Sequence, residues 1–312
     1  MPSSAVYTFS DPDEYASGII AKSTELTVSK PGQFSAKLIQ IRFHELWLQR
    51  FSESLSWVGH AAPLTGRTSI LFPTTSGPPL YTAGLEMLPT NLIRLSLTDF
   101  HLRRPNLASY AGMSLPVEDM VALGEVAEVD LAPSRDCSLV TPQPSAIAKL
   151  QRLHAAAGCL AEDAPEIIAH PEVARGLEQV LTEAMIDCLA SREVNKTLAQ
   201  GQHEIVMRRF RRVVEENPEH PLYITEICKA IGVSSRTLET CCHEHLGMGP
   251  KHYLLRRRMH LARRALRQAA PEPASVTEVA TRYGFWHLGR FAIEYQSLFG
   301  VSPSATLRRP PE

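Results

Sequence analysis

The chain has 312 residues, of which 44% are apolar and 21% are charged, the composition of an ordinary folded protein. A length above about 250 residues predicts two domains, because one hydrophobic core rarely serves a longer chain. No apolar run approaches the roughly 18 residues that cross a bilayer, and the N-terminal residues lack the regions of a signal peptide. We therefore expect no membrane association.

Charge is divided unevenly along the chain, although the formal net charge is −1. Residues 201–312 hold 17 Lys and Arg against 11 Glu, a net of +6, whereas the remainder has a net of −7. A basic half is typical of nucleic-acid binding, and a solvated helical surface would have the same balance. The scattered cysteines indicate reduced thiols in the cytoplasm. They are Cys137, Cys159, Cys188, Cys228, Cys241 and Cys242.

Residues 1–140 are predicted to form a β-rich domain. Short apolar stretches alternate with turn residues, which indicates an antiparallel sandwich or barrel. These stretches are Glu25–Val28, Phe34–Phe43, Trp57–Val58, Ser69–Phe72, Leu80–Leu88 and Leu92–Leu97. Glu45–Ser54 fits a helix or a strand, and Val117–Leu123 is predicted as a short helix that ends the domain.

Residues 141–200 are predicted to form a proline-containing linker with two helices. One helix spans Ala146–Ala157, and the other begins at Pro171, a favourable residue for a first turn. An apolar stripe runs along the second helix. It comprises Val173, Leu177, Val180, Leu181, Ala184, Cys188 and Leu189. The stripe either packs on the sheet domain or forms a dimer contact, and its spacing fits both.

Residues 201–312 contain one pattern twice. Ile224–Cys228, followed by Gly232, recurs as Val276–Ala280, followed by Gly284, at an offset of 52. The segments that end each copy lie 53 residues apart, so the second copy has one extra residue in its turn or its second helix. Two copies are too few for a solenoid. Each copy is predicted to be a helix-turn-helix whose first helix ends at the glycine.

Helices are also predicted around the two copies. Gln202–Glu216 begins the basic half, and Ser234 and Ser235 are suitable N-caps for a helix that continues to His245. Pro250–Gln268 joins the copies, and the second copy's second helix spans His287–Phe299. Arginines are predicted to cover the outer surface of the joining helix. They are Arg256, Arg257, Arg263, Arg264 and Arg267.

One set of residues in the basic half carries a resemblance to a known family. It comprises Ile227, Cys228, Gly232, Val233, Ser234, Leu238, Gly247, Pro250, Tyr253, Arg258, Met259, Ala262, Leu266, Val279, Ala280, Tyr283, Gly284, Phe285, Phe291, Phe299, Gly300 and Pro303. Through these residues the region from about 203 to 309 resembles the DNA-binding domain of the AraC/XylS family of bacterial transcription regulators. The residues before it look like the cupin-like sensory domains that often precede such a region, without a diagnostic motif.

The resemblance implies two recognition helices in successive major-groove segments of one duplex. Its base-reading positions correspond here to Ser235, Arg236, Glu239 and Thr240, and to His287, Gly289, Arg290 and Ile293. Arginine suits guanine, glutamate suits cytosine, and threonine suits a thymine methyl or a phosphate. A terminal helix that begins at Pro303 and Ser304, with Arg308 beyond it, suits a phosphate. Trp286 either stacks at the start of the second recognition helix or lies in the core.

Other groups of residues are consistent with binding sites but also with structural roles. Cys241 and His245 have helical metal-ligand spacing, but no second pair exists at zinc spacing, and we expect neither a metal nor a cofactor. Two groups in the first domain fit either a site or the folded structure. One comprises His44, Glu45, His60, Asp99 and His101. The other, which fits an apolar pocket or its packed core, comprises Trp47, Trp57, Phe72, Tyr81 and Met87.

The favoured function is a sequence-specific transcription regulator of fold class α+β, with no catalytic residues. Its expected partners are double-stranded DNA, RNA polymerase, a small-molecule effector at the N-terminal domain, and a second copy of the chain. The alternative is a DNA-directed enzyme, such as an alkyl-transfer repair protein, that uses the basic half for targeting. The absence of any cysteine before Cys137 argues against that alternative.

Overall fold

The structure, a computed structural model, describes residues 2–75, 77–105, 107–194, 198–269 and 275–308. The chain divides into two compact units. The first comprises Met1–Leu26 and Ser35–Thr197, and the second comprises Thr27–Phe34 and Leu198–Glu312. None of the described helices combines the length and apolar character that a membrane crossing requires.

Strands form most of the first part of the chain. Their bounds are β1 Ser3–Phe9, β2 Ser23–Val28, β3 Ala36–Arg42, β4 Trp47–Glu53, β5 Trp57–Ala62, β6 Arg67–Pro73, β7 Leu80–Thr82, β8 Leu85–Met87, β9 Leu92–Arg94, β10 Phe100–Arg104, β11 Ala108–Pro116, β12 Ser138–Thr141 and β13 Arg192–Val194. One sheet has the order β1-β3-β4-β11-β6-β9-β12-β13, and the other has the order β2-β5-β10-β7-β8. The predicted β-rich fold is confirmed, while its cupin-like character stays a prediction.

Pairing within the sheets explains where the sequence pattern was ambiguous. Segment 45–54, whose sequence fits either a helix or a strand, contains strand β4. This strand pairs antiparallel with both β3 and β11. The pattern missed β1, β10, β11, β12 and β13. In β10 the apolar alternation is hidden because His101 and Arg104 are buried, and in β11 small and polar residues occupy several positions. Neighbouring strands therefore decide these assignments.

Helices complete the core of the first unit. They are α1 Pro12–Gly18, α2 Val117–Ala127, α3 Pro144–Asp163, α4 Pro165–Ala169 and α5 Pro171–Leu189. α3 and α5 contribute to the same hydrophobic cluster as β3, β6 and β11. The residues predicted as a linker are therefore largely helices that pack on the sheet. Within the apolar stripe of α5, Leu181 and Cys188 are fully buried. Val173 and Val180 remain more than one-third exposed, so a dimer contact stays a prediction.

Within the second unit, residues 198–269 and 275–308 are largely helical. Its helices are α6 Leu198–Glu216, α7 Ile224–Ile231, α8 Ser235–Leu246, α9 Pro250–Gln268, α10 Val276–Arg282, α11 Leu288–Phe299 and α12 Pro303–Leu307. The expected outward position of all five α9 arginines is wrong for two of them. Arg257 is buried and donates to the carbonyl of Val214 at 3.3 Å, and Arg263 is buried with its guanidinium 5.3 Å from the centre of the Phe299 ring. Their aliphatic stems pack while the charged groups find local partners.

Candidate nucleic-acid interface

The first helix-turn-helix is formed by α7 and α8. α7 ends at Gly232, which adopts the left-handed conformation with φ of 73°. Ser234 then caps α8 by accepting the backbone N–H of Thr237 at 3.1 Å. The buried face of α8 includes Leu238 and Cys242. These contacts leave the opposite face of α8 in solvent.

The second helix-turn-helix is formed by α10 and α11. Ser275 caps α10 by accepting the N–H of Glu278 at 3.1 Å. Gly284, with φ of 76°, directs the chain away from α10. α11 buries an aromatic face that packs with α9 and α10. Its members at this face are Phe291, Tyr295 and Leu298.

The extra residue of the second copy lies in its turn. After each positive-φ glycine, the next backbone N–H donates to the preceding helix, at 3.1 Å from Val233 and 2.9 Å from Phe285. Those two residues therefore correspond. The N-cap residues, Ser234 and His287, also correspond, and α8 and α11 each have 12 residues. Trp286 is thus the residue without a counterpart.

Each base-reading position predicted on α8 is exposed. Ser235, Arg236, Glu239 and Thr240 all lie on the solvent side. The carboxylate of Glu239 lies 3.2 Å from the His243 imidazole, one helical turn away. The hydroxyl of Thr240 donates to the Arg236 carbonyl at 3.0 Å. The guanidinium of Arg236 therefore stands on a face with both acidic and hydroxyl neighbours.

The positions predicted on α11 are exposed as well. His287, Gly289, Arg290 and Ile293 all lie in solvent. Arg290 donates from Nε to Glu294 at 2.7 Å, and this hydrogen bond raises the pKa of Arg290. A side chain at Gly289 would meet no atom within 4 Å. This face therefore carries one anchored cation beside open space.

The two residues predicted to contact phosphate lie at the end of the described chain. Ser304 and Arg308 are both exposed, and Arg308 Nε donates to the Ser304 carbonyl at 3.2 Å. The terminal helix begins at Pro303, as predicted, and its N-cap is Ser302. The Ser302 hydroxyl accepts the N–H of Ala305 at 3.2 Å, so this backbone donor is already satisfied.

Trp286 is the exposed residue that sequence reasoning left undecided. Its side chain is 70% exposed, so it is not part of the core. The residue before it, Phe285, takes the buried place and packs against Phe291 with ring centres 4.8 Å apart. The one-residue offset between the two copies was the signal that identified an inserted position.

The cysteine and histidine pattern of α8 serves the core. Cys241, Cys242 and His245 are buried. Burial raises the pKa of the Cys241 thiol to about 11 and raises that of Cys242 further. Burial likewise raises the pKa of Cys188 to about 12. These thiols are protonated at neutral pH, which disfavours the alkyl-transfer chemistry of a thiolate.

The histidines of the first unit divide between surface and sheet. His44 is exposed and lies 3.0 Å from the carboxylate of Glu45. His60 and His101 face each other as partners in the antiparallel pair β5–β10. Both are buried within that sheet. A site that combines all these residues stays a prediction.

A cavity opens between strands of the first unit. It has about 730 Å³ of space outside protein atoms, a volume that includes its open mouth. Of the five residues that were predicted to line an apolar pocket or to pack in its core, Trp47 and Trp57 line the cavity. Phe72, Tyr81 and Met87 are absent from its lining. Apolar side chains predominate in its wall, with Arg67 and Arg104 among the polar ones.

A buried carboxylate fixes one wall of this cavity. Glu53 accepts hydrogen bonds from the hydroxyls of Tyr15 and Tyr110, the latter at 2.9 Å. Burial raises the pKa of Glu53 to about 7, while the two tyrosines and Arg104 oppose that rise. Arg104 also donates to the Tyr81 carbonyl at 2.6 Å. Tyr110 and Arg104 are therefore held in place before any ligand arrives.

Comparison with known proteins gives a family match within the second unit and similarities over longer stretches of the chain. A family model described as a helix-turn-helix domain matches residues 227–309. Over 152 residues the chain is 35% identical to the probable thc operon regulatory protein of Rhodococcus erythropolis, covering 48% of this chain and 46% of that protein. Over 135 residues it is 32% identical to XylDLEGF operon transcriptional activator 2 of Pseudomonas putida, covering 43% of this chain and 85% of that protein. The crystal structure of the AraC-like transcriptional activator CuxR matches 83% of this chain and 95% of its own, at 14% identity and a TM-score of 0.44.

The matches cover unequal parts of the relatives. The matched segment spans about half the length of the thc regulatory protein, 46%. It spans most of the shorter activator, at 32% identity. The fold, the paired helix-turn-helix units and these relatives agree. The chain belongs to the AraC/XylS family of transcription regulators.

Proposed function

We propose that this protein regulates transcription by binding a specific sequence in one DNA duplex. α8 and α11 enter successive segments of its major groove. The observation that carries the proposal is that the eight predicted base-reading positions on and beside these helices are all exposed. In helix-turn-helix proteins the outer residues of the second helix contact base edges. A chain with two such helices presents both readers without a partner subunit.

The side chains of α8 match the polar edges of base pairs. Arg236 donates to the O6 and N7 of guanine, and Glu239 accepts from the amino group of cytosine. Thr240 contacts a thymine methyl or a phosphate. Arg290 on α11 reads a guanine, and Ser304 and Arg308 contact the phosphate backbone. Exposure of each of these residues supports the assignment.

The cavity of the first unit receives a small, largely apolar effector. Its apolar lining and the prior fixation of Tyr110 and Arg104 support this assignment. Binding changes the affinity for DNA by about 5- to 150-fold, the range that corresponds to 1–3 kcal/mol of coupling. Thermal-shift screening of the full chain against small metabolites identifies the effector, and the ligand found must also change the affinity for DNA.

The remaining partners follow from the family and from α5. The relatives include proteins named as transcriptional activators, and activation implies contact with RNA polymerase. The protein acts in the cytoplasm, where bacterial DNA lies. Val173 and Val180, both exposed on α5, form a contact between two copies of the chain. Val180→Glu weakens any dimer measured by analytical ultracentrifugation, whereas Val126→Glu, at an exposed residue of α2, leaves it unchanged.

Selection of binding sites from random DNA with the full chain tests the central proposal. The expected result is one preferred motif whose affinity falls steeply with salt, because each neutralised phosphate releases counterions. Arg212→Ala is the matched control for the variants Arg236→Ala and Arg290→Ala, since Arg212 is exposed on α6 and lies outside both helix-turn-helix units. Failure to select any motif, or a salt slope near zero, contradicts the proposal.

The repair-enzyme alternative predicts a different reactivity. Cys159 is the one exposed cysteine, whereas the other five are buried. Iodoacetamide at pH 8 is expected to modify Cys159 alone. Transfer of an alkyl group from damaged DNA to any cysteine would favour the enzyme. The relatives named as operon regulators support the regulator instead.

A further inference from the structure

α8 and α11 differ at the four positions that correspond to the predicted base-reading residues of α8, whereas Arg290 corresponds to Thr237. Because α8 and α11 have the same length and each buries its fourth residue, Leu238 or Phe291, their residues pair by position. The pairs are Ser235 with Leu288, Arg236 with Gly289, Glu239 with Ala292, and Thr240 with Ile293. All four members on α8 carry a polar group, and none of those on α11 does.

The apolar positions of α11 are in solvent. Ile293 is 72% exposed, and Leu288 is 38% exposed. With 3.6 residues per turn, Ile293 lies almost opposite the buried face formed by Phe291 and Tyr295. Trp286, the inserted residue, adds a second large apolar side chain that is 70% exposed at the start of the same helix. Large apolar groups exposed along one helix and its first turn are candidates for a binding surface.

Charge around this surface favours DNA as its occupant. Arg282, Arg290 and Arg308 are all exposed in the same helix-turn-helix and its terminal helix. A recognition helix faces the major groove, and the apolar group that the groove presents is the C5 methyl of thymine. Phosphates flank that groove and match the arginines. An apolar reader among cations therefore fits thymine-containing DNA.

We propose that Trp286, Gly289 and Ile293 form a surface that reads thymine methyl groups. The half-site under α11 is then recognised through methyls in addition to the guanine contact of Arg290, whereas the half-site under α8 is recognised mainly through hydrogen bonds. The open space at Gly289 lets the methyl edge approach the helix backbone. This inference rests on the proposed function, because it concerns how the second helix reads the same duplex.

Replacement of single thymines by deoxyuridine tests the proposal, since it removes the methyl and nothing else. The full chain is titrated with its selected duplex, in which each thymine is replaced in turn. Arg236→Ala first identifies the base pairs under α8, where its loss relaxes the preference. At one or more positions under α11, deoxyuridine is expected to weaken wild-type binding about fourfold, the factor that corresponds to ~0.8 kcal/mol per buried carbon group.

The variants show whether the methyl contacts these side chains. In Ile293→Ala or Trp286→Ala, the same deoxyuridine is expected to weaken binding less than twofold, because the contact is already lost. Ile205→Ala is the matched control, since Ile205 is 46% exposed on α6 and lies outside both helix-turn-helix units. It should retain the fourfold effect. Circular dichroism checks that each variant is folded.

Three outcomes overturn the proposal. Deoxyuridine has no effect under α11, or it has the same effect in Ile293→Ala as in the wild type. The third is that Trp286→Ala and Ile293→Ala keep wild-type DNA affinity but lose activation in a reconstituted transcription assay. The surface would then contact polymerase. Each of these results leaves a selected motif intact, whereas failure to select any motif contradicts the proposed function itself.

Discussion

The first and second helix-turn-helix units share a scaffold and differ in what they present to solvent. Both turn at a glycine with positive φ, and both have a second helix of 12 residues. Arg236 and Thr240 project from the first, whereas Gly289 and Ile293 hold the same positions in the second. Residues that repeat thus maintain the fold, and residues that differ define the surface.

The hydrophobic cores of the two helix-turn-helix units also differ in chemistry. The first buries Leu238 beside Cys241 and Cys242. The second is aromatic, with the Phe291 and Tyr295 rings 5.5 Å apart. Different side chains therefore support the same backbone arrangement. This agrees with the tolerance of packed cores to changes that conserve pattern and volume.

The largest effect is expected from loss of the aromatic core. Phe291→Ala should lower the free energy of unfolding by about 3–5 kcal/mol, because it removes a buried ring and leaves a cavity. Ile293→Ala, two residues away but exposed, should change it by about 0.5 kcal/mol or less. Urea unfolding measures both. Similar losses from the two variants would show that Ile293 is packed.

Arg236→Ala tests whether the first helix-turn-helix unit reads bases through polar side chains. Affinity for the selected duplex should fall by about 1–3 kcal/mol, and the preference at one base pair should relax. The motif selected by the variant reveals the relaxed position. An unchanged motif with weaker binding would make Arg236 a phosphate contact.

Arg290→Ala tests whether the second helix-turn-helix unit makes a polar base contact in addition to those of its apolar surface. We expect a loss of about 1–3 kcal/mol with relaxed preference at one base pair. Arg290 is anchored by Glu294, so Glu294→Gln should weaken binding less than Arg290→Ala does. Uniform weakening on all sequences would instead assign Arg290 to phosphate.

Tyr295→Phe removes a hydrogen bond of the second helix-turn-helix unit, whose corresponding residue in the first is Cys242. The Tyr295 hydroxyl donates to the Thr306 hydroxyl at 2.9 Å, and both groups are buried. Its removal should cost about 1 kcal/mol, the typical net value of such a bond. Tyr223→Phe, at a residue 70% exposed, is the control and should have no effect on thermal unfolding.

Stability changes of opposite sign are expected from two glycines with opposite roles. Gly232→Ala should destabilise by about 1–2 kcal/mol, because alanine strains at a φ of 73°. Gly289→Ala should stabilise by about 0.4–1 kcal/mol, because it meets no atom and restricts the unfolded chain. Thermal unfolding measures the sign of the stability change in both variants. A loss for Gly289→Ala would mean that its surroundings are packed.

The sequence by itself determined the helical unit. Local signals suffice there: the glycines that end helices, the serine caps and the apolar period all act within a few residues. The bounds of α8 and α9 therefore agree with the predicted ones within a residue. The base-reading positions also emerged as exposed, because they are the residues left outside the apolar period.

Tertiary structure decided the rest. Strand β11 lacks a clear apolar pattern, and it is a strand because β4 and β6 pair with it on both sides. Arg257 is buried through a carbonyl 43 residues away in the chain. Trp286 is exposed because Phe285 occupies the core position beside it. In each case the outcome depends on partners distant in sequence, whose positions no local pattern encodes.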